Sequence, residues 1–206
     1  MKNNSTVKQL SDEELALRAG AGSHFYFEEL VYRYSQRLFF YLRPKIATDQ
    51  DTEDLVQETF LKIYRSIGRY DPDYKFSTWI YTTAGRLAIS YYRKKREVET
   101  GFEAAADVPG PAESMIRRET FQNIWSAARA LQKDQYRALY LRYVEDMPVK
   151  EIARVMKKTG IHVRVLLHRA RLKLVEQVPA AQFNKSFAGV QGAVFQKRPL
   201  VAEGKK

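Results

Sequence analysis

Apolar residues recur at helical spacing along most of this chain, and nowhere with the strict alternation that a half-buried strand requires. Phe27, Leu30, Val31, Tyr34 and Leu38 share one face of a helix predicted over 23–45. Pro44 lies near its end and the polar Thr48-Asp49-Gln50 follows, which stops it. Val56, Phe60, Ile63, Tyr64 and Ile67 then follow i, i+4, i+7, i+8 and i+11 over 50–67, and Gly68 supplies the terminating signal. Tyr70-Asp-Pro-Asp73 reads as a turn. Phe76, Ile80, Ala84, Leu87 and Tyr91 form the stripe of the next helix, for which Ser77 is the expected cap. A shorter helix is expected over 12–19. These spacings predict an all-α fold.

The pattern breaks over 97–113, where Gly101, Pro109, Gly110 and Pro111 accompany a run of three alanines and no apolar stripe is present. Such a composition is expected of a flexible linker. Beyond it, Ile116, Thr120, Ile124, Ala127 and Leu131 mark one helix, and Tyr136, Leu139, Tyr140 and Tyr143 another, opened by Asp134. Two short helices are predicted over about 149–157 and 160–176, separated by Lys157-Lys-Thr-Gly160. The expected organisation is two small helical bundles, 10–96 and 114–177, joined by the linker, with a loose tail over 178–206.

Thirty-five Lys and Arg against 24 Asp and Glu give a net charge of +11, which favours a polyanionic partner, nucleic acid before an anionic membrane surface. Zero cysteines exclude disulfides, thiolate metal sites and cysteine nucleophiles. The polar start Met1-Lys-Asn-Asn-Ser-Thr lacks the apolar core of a signal peptide, and no apolar run reaches the length of a membrane span. A soluble intracellular protein is expected. His24, His162 and His168 are scattered, and neither a phosphate-cradling glycine loop nor a nucleophile elbow is present. The expected function is therefore binding, without catalytic residues, metal or cofactor.

Three segments carry that function. Asp51, Asp54 and Glu58 share one helix face opposite the apolar stripe, bordered by Leu55, Gln57 and Leu61. Read alone, this is a solvated acidic face, a docking face for a basic protein, or carboxylates for a nuclease metal site. Between Tyr70 and Arg96, the rings of Tyr70, Tyr74, Phe76, Trp79, Tyr81, Tyr91 and Tyr92 accompany Arg86, Arg93, Lys94, Lys95 and Arg96, and Phe76 and Tyr91 lie on the apolar stripe. Cations hold phosphates and π-faces hold unstacked bases, a combination suited to single-stranded or melted DNA. Finally, the 149–171 segment reads as a helix-turn-helix, with Ile152, Ala153 and Met156 packing on Val163 and Leu167. Lys158, Thr159, His162, Arg164, Val165, Leu166, His168, Arg169 and Arg171 are its candidate DNA contacts. A free-standing helix-turn-helix regulator explains the last segment equally well, but not the first two.

Taken in order, Asp51-Thr-Glu-Asp-Leu-Val-Gln-Glu-Thr-Phe-Leu-Lys62, Tyr70-Asp-Pro, Phe76-Ser-Thr-Trp79 and Glu151-Ile-Ala with His168-Arg-Ala-Arg171 resemble an extracytoplasmic-function (ECF) RNA polymerase sigma factor of the sigma-70 family. The resemblance spans roughly 10–176. It implies that Asp51, Asp54, Leu55, Gln57, Glu58 and Phe60 meet the β′ clamp coiled coil of core RNA polymerase. It implies that Tyr70, Tyr74, Phe76, Trp79, Arg86, Tyr92, Arg93, Lys94 and Arg96 capture and melt the minus-ten promoter element. The second helix of the helix-turn-helix would read the minus-thirty-five element, with the β flap of the polymerase and an anti-sigma factor as further partners. The chain departs from the family pattern at Gly85, Arg86 and Ser90, where Arg, Asn and Asp are usual. It departs again at Pro148, where a capping Ser is usual, at Lys157 and Lys158 in the turn, and at Leu166, where an arginine is common.

Overall fold

Every regular element among the described residues of the computed structural model, 7–98, 125 and 127–177, is helical. Helix α1 (Asp12–Gly20) opens on a reciprocal capping box: Glu14 N–H donates to Ser11 Oγ at 3.2 Å and Ser11 N–H donates to Glu14 Oε2 at 2.8 Å. Helix α2 (His24–Leu42) tightens into a 3₁₀ turn, Arg43–Lys45, where Pro44 has no amide hydrogen to continue the α ladder. Thr48 caps α3 (Asp49–Ser66) by accepting from Asp51 N–H at 3.0 Å, and a second 3₁₀ turn, Ile67–Arg69, ends it.

Helix α4 (Phe76–Val98) begins one residue before Ser77, the expected cap. The first-turn amide of Phe76 instead donates to Glu13 Oε1 of α1 at 3.2 Å, so the cap comes from a different helix. Its end at Val98 takes two residues from the expected linker. The rest of that linker, most of the helix expected around 116–131, and the tail over 178–206 lie outside the described residues.

Helices α5 (Lys133–Tyr143), α6 (Val149–Met156) and α7 (Gly160–Gln177) form the second group. Gln132, not Asp134, is the N-cap of α5, in a capping box with Gln135. Pro148 stands at the N-cap of α6, and Thr159 caps α7 by accepting from His162 N–H at 3.2 Å. Leu30, Tyr34, Leu38, Ile63, Phe76 and Ile80 are fully buried in the first group, and Leu139, Ile152, Val163 and Leu174 in the second. The two cores are continuous, because α6 packs on α4 and the rings of Tyr41, Tyr81 and Tyr140 meet at centroid distances of 4.9 to 6.5 Å.

Lys157, in the tight turn of the helix-turn-helix, adopts the left-handed conformation with φ 52° and ψ 47°. Its Cβ is crowded in that conformation, which glycine adopts freely. Lys157→Gly is expected to stabilise the fold by about 0.5–1 kcal/mol, read as a raised midpoint in thermal or urea unfolding.

Candidate nucleic-acid and partner interfaces

The carboxylates of α3 are not equivalent. Asp51 is half-buried, and its Oδ2 accepts from the Thr48 hydroxyl at 2.8 Å and from the Tyr91 hydroxyl of α4 at 2.9 Å. Asp54, Gln57 and Glu58 are exposed, beside a Leu61 side chain that is 53% accessible. The face is thus an acidic surface with an apolar edge. Leu55 and Phe60, expected at the same interface, are buried in the core, with Phe60 edge-on to Phe27 at 6.3 Å. They support the face from beneath and present little surface of their own. Among the described residues no three His, Asp or Glu side chains are placed to hold a metal ion.

The aromatic segment folds into a layered cluster. Tyr70 stacks on Trp79 with centroids 5.4 Å apart at 18°, and both stand edge-on to Phe76 at 5.8 and 5.9 Å. The Tyr70 hydroxyl donates to the Tyr74 carbonyl at 2.5 Å, and Asp73 N–H donates to Asp71 Oδ1 at 3.0 Å, which closes the 70–75 loop. Burial, reinforced by Glu13, Asp12 and Asp71, pushes the Tyr70 hydroxyl up, so it stays a neutral donor. Phe76 has no exposed surface and is the floor of the cluster, so it cannot stack on a base as expected. Tyr74, Arg86, Arg93 and Lys94 are exposed, while Trp79 and Tyr92 are half-buried. The side chain of Arg96 lies outside the description.

On α7, His162, Arg164, Val165, His168 and Arg169 face outward. Thr159 spends its hydroxyl oxygen on the cap, and Lys158 pairs with Asp134 at 3.0 Å. Leu166 is 7% accessible and packs inward, so it does not stand where an arginine could reach DNA. Ile161, not among the expected contacts, is 72% accessible at the first turn of the same helix.

Sequence reasoning also passed over the cations and acids between the two helical groups. Arg37 Nε donates to Glu145 Oε1 at 3.0 Å and its Nη2 bonds Oε2, while Arg137 Nε donates to the Tyr41 hydroxyl at 2.8 Å. No local pattern marks these residues, because each partner sits in a distant part of the chain.

Two helical groups, the second ending in a helix-turn-helix, carry an acidic face, an aromatic–basic loop and a basic outer helix. Residues 29–98 match Sigma-70 region 2 and residues 121–174 match Sigma-70 region 4, so the chain belongs to the sigma-70 family of RNA polymerase sigma factors, in its ECF subfamily. It is 30% identical over 172 residues to the ECF RNA polymerase sigma factor BldN of Streptomyces coelicolor, covering 81% of this chain and 65% of BldN. It is 28% identical over 178 residues to the RNA polymerase sigma-H factor of Pseudomonas aeruginosa, covering 80% of this chain and 92% of that protein. The ECF RNA polymerase sigma-E factor of Escherichia coli K12 is also 28% identical, over 177 residues, with 80% and 92% covered. Two solved structures share the fold. CnrH, in complex with the cytosolic domain of CnrY, has a TM-score of 0.59 at 24% identity, covering 80% of this chain and 95% of CnrH. RpoE from Bartonella quintana, in complex with the anti-sigma factor NepR, has a TM-score of 0.62 at 21% identity, covering 75% and 97%. The chain is an alternative sigma factor and not a free-standing regulator. No helix among the described residues is long and apolar enough to cross a membrane.

Burial separates the structural residues from the contact residues experimentally. Leu166→Ala is expected to cost about 2–5 kcal/mol and Phe76→Ala about 3–5 kcal/mol in chemical unfolding. Val165→Ala, one residue from Leu166 but outward-facing, is expected to stay within about 0.5 kcal/mol of the parent.

Proposed function

We propose that the acidic face of α3, centred on Asp54, Gln57 and Glu58, docks on the β′ clamp coiled coil of core RNA polymerase. The cluster of Tyr70, Tyr74 and Trp79, with Arg86, Arg93 and Lys94, captures an unstacked base and the phosphates of the minus-ten element. The outward face of α7 enters the major groove of the minus-thirty-five element, where His162, Arg164, Val165, His168 and Arg169 reach base edges and phosphates. Residues 10–96 and 114–177 serve these two tasks as separate units, and 97–113 connects them through the polymerase. The protein catalyses no reaction of its own and acts in the cytoplasm, with the β flap and an anti-sigma factor as its further partners.

The observation that carries this reading is the separation of charge on neighbouring helices. An exposed carboxylate face on α3 repels phosphates, while α4 presents exposed rings and cations beside it. A DNA-binding protein with no protein partner has no use for the first. A holoenzyme subunit requires both.

Pull-down of bacterial core RNA polymerase at moderate salt tests the docking face. The double variant Asp54→Ala, Glu58→Ala is expected to bind about tenfold more weakly, about 1.4 kcal/mol, with an unchanged melting curve. Equal affinity of parent and variant would remove α3 from the interface. Trp79→Ala is expected to retain polymerase binding and lose open-complex formation, read by permanganate reactivity of unpaired thymines.

A further inference from the structure

A cavity of about 240 Å³ opens where the end of α2, the second half of α4, α5 and the turn after α6 meet. Leu42, Ile46, Ala88, Ile89 and Met156 make its walls apolar. Tyr92, Lys133, Asp134, Arg137 and Lys158 supply its polar groups, so three cations surround one carboxylate.

The cations are not equally provided for. Lys158 pairs with Asp134 at 3.0 Å, and Arg137 lies 4.0 Å from the other oxygen of the same carboxylate. Arg137 is also fixed by the Tyr41 hydroxyl, which accepts from its Nε at 2.8 Å, and by the notch at Gly85, where a Cβ would collide with its Nη2. That notch accounts for a glycine in the middle of α4, a place where glycine weakens a helix. Lys133 is different. Among the described residues no carboxylate pairs with it, and its ammonium lies 3.2 Å from the centroid of the Tyr92 ring. Burial holds that ammonium below the ordinary lysine range. The hydroxyl of the same Tyr92 is buried and has no hydrogen-bond partner among the described residues. A neutral guest answers the hydroxyl and leaves the ammonium uncompensated, whereas an anion answers both.

We propose that this cavity binds a small amphipathic anion, a carboxylate carried on an aliphatic or aromatic body. The carboxylate pairs with Lys133 and accepts from the Tyr92 hydroxyl, and the body lies against Leu42, Ile46 and Met156. Asp134 does not turn such a ligand away, because Lys158 and Arg137 already neutralise it. A bare phosphate would satisfy the cations and gain nothing from the apolar walls, which is why the body belongs to the ligand. The site stands whether or not the protein binds polymerase, so its test needs neither polymerase nor DNA.

Octanoate is the probe, titrated into the full chain by isothermal calorimetry, with octanamide and inorganic phosphate as companions. Octanoate is expected to bind saturably at one site per chain, and each companion about tenfold more weakly or worse. With the methionine methyls labelled with carbon-13, the Met156 resonance is expected to move along the same saturation curve. Lys133→Met keeps the apolar stem and removes the charge. It is expected to erase the preference for octanoate over octanamide, at an unchanged or raised melting temperature, since a desolvated charge is gone. Tyr92→Phe, which removes only the hydroxyl, is expected to weaken octanoate about threefold to tenfold. No saturable binding of octanoate at millimolar concentration, equal affinity for octanamide, an unmoved Met156 methyl, or an unchanged preference in Lys133→Met would overturn the site.

Discussion

Glu145 must be neutralised inside the protein, because none of its side chain meets water. A carboxylate left unpaired in such a place is strongly destabilising. Arg37 neutralises it with two hydrogen bonds, and Arg37 in turn lies 4.6 Å from the Tyr34 ring centroid. Burial, the largest single influence, would lower the pKa of this guanidinium, but the hydrogen bond and charge of Glu145 together with Tyr81 and Tyr34 outweigh it, so the cation is held above its ordinary range. Burial also raises the hydroxyls of Tyr81 and Tyr140, which keeps the surrounding rings neutral. Glu145 sits in the connection between α5 and α6, where Met147 N–H donates to the Leu141 carbonyl at 2.9 Å and Arg142 reaches the Met147 carbonyl at 3.0 Å. The course of that connection sets where the helix-turn-helix stands against α2 and α4. The ion pair thus ties the connection that leads into α6 to helix α2.

The helices themselves were legible because their cause is local. Stripes such as Phe76, Ile80, Ala84 and Leu87 need only a period of 3.6, and all four are buried. The pair of short helices with a turn at Lys157 was legible for the same reason. Residues at the border of a stripe were not. Leu55 and Leu166 each lie one step from exposed neighbours, Asp54 and Val165, and only the packing of other helices decides that they turn inward. The cap of α4 was missed because Glu13 belongs to another helix, and Arg37 with Glu145 because a lone acid between helices reads as solvated. Gly85 was legible only as an oddity, since its partner Arg137 comes from a different group of helices.

Charge is distributed by role and not by average. A net charge of +11 draws the whole molecule toward polyanions, yet Asp54 and Glu58 stand exposed on one helix face. Lys62 pairs with Glu58 at 3.5 Å, and Gln50 donates to Asp54 at 3.3 Å, so that face is tempered but not neutralised. Exposed pairs of this kind contribute little to stability and are easily exchanged for a partner's cations. The half-buried pair of Arg37 and Glu145, whose carboxylate has no access to water, cannot be exchanged in this way. The same chemistry therefore leaves a charged face open at the surface and sets placement in the interior.

The bond from Tyr91 to Asp51 ties the helix that bears the carboxylates to the helix that bears the rings and cations. With Val56, Phe60, Ile80 and Leu87 buried in the same core, α3 and α4 move as one body. Whatever grips the acidic side is then held at a set distance from whatever the aromatic loop captures. This pair of helices works as a gauge: the shared core and the Tyr91–Asp51 bond fix the distance between the two faces.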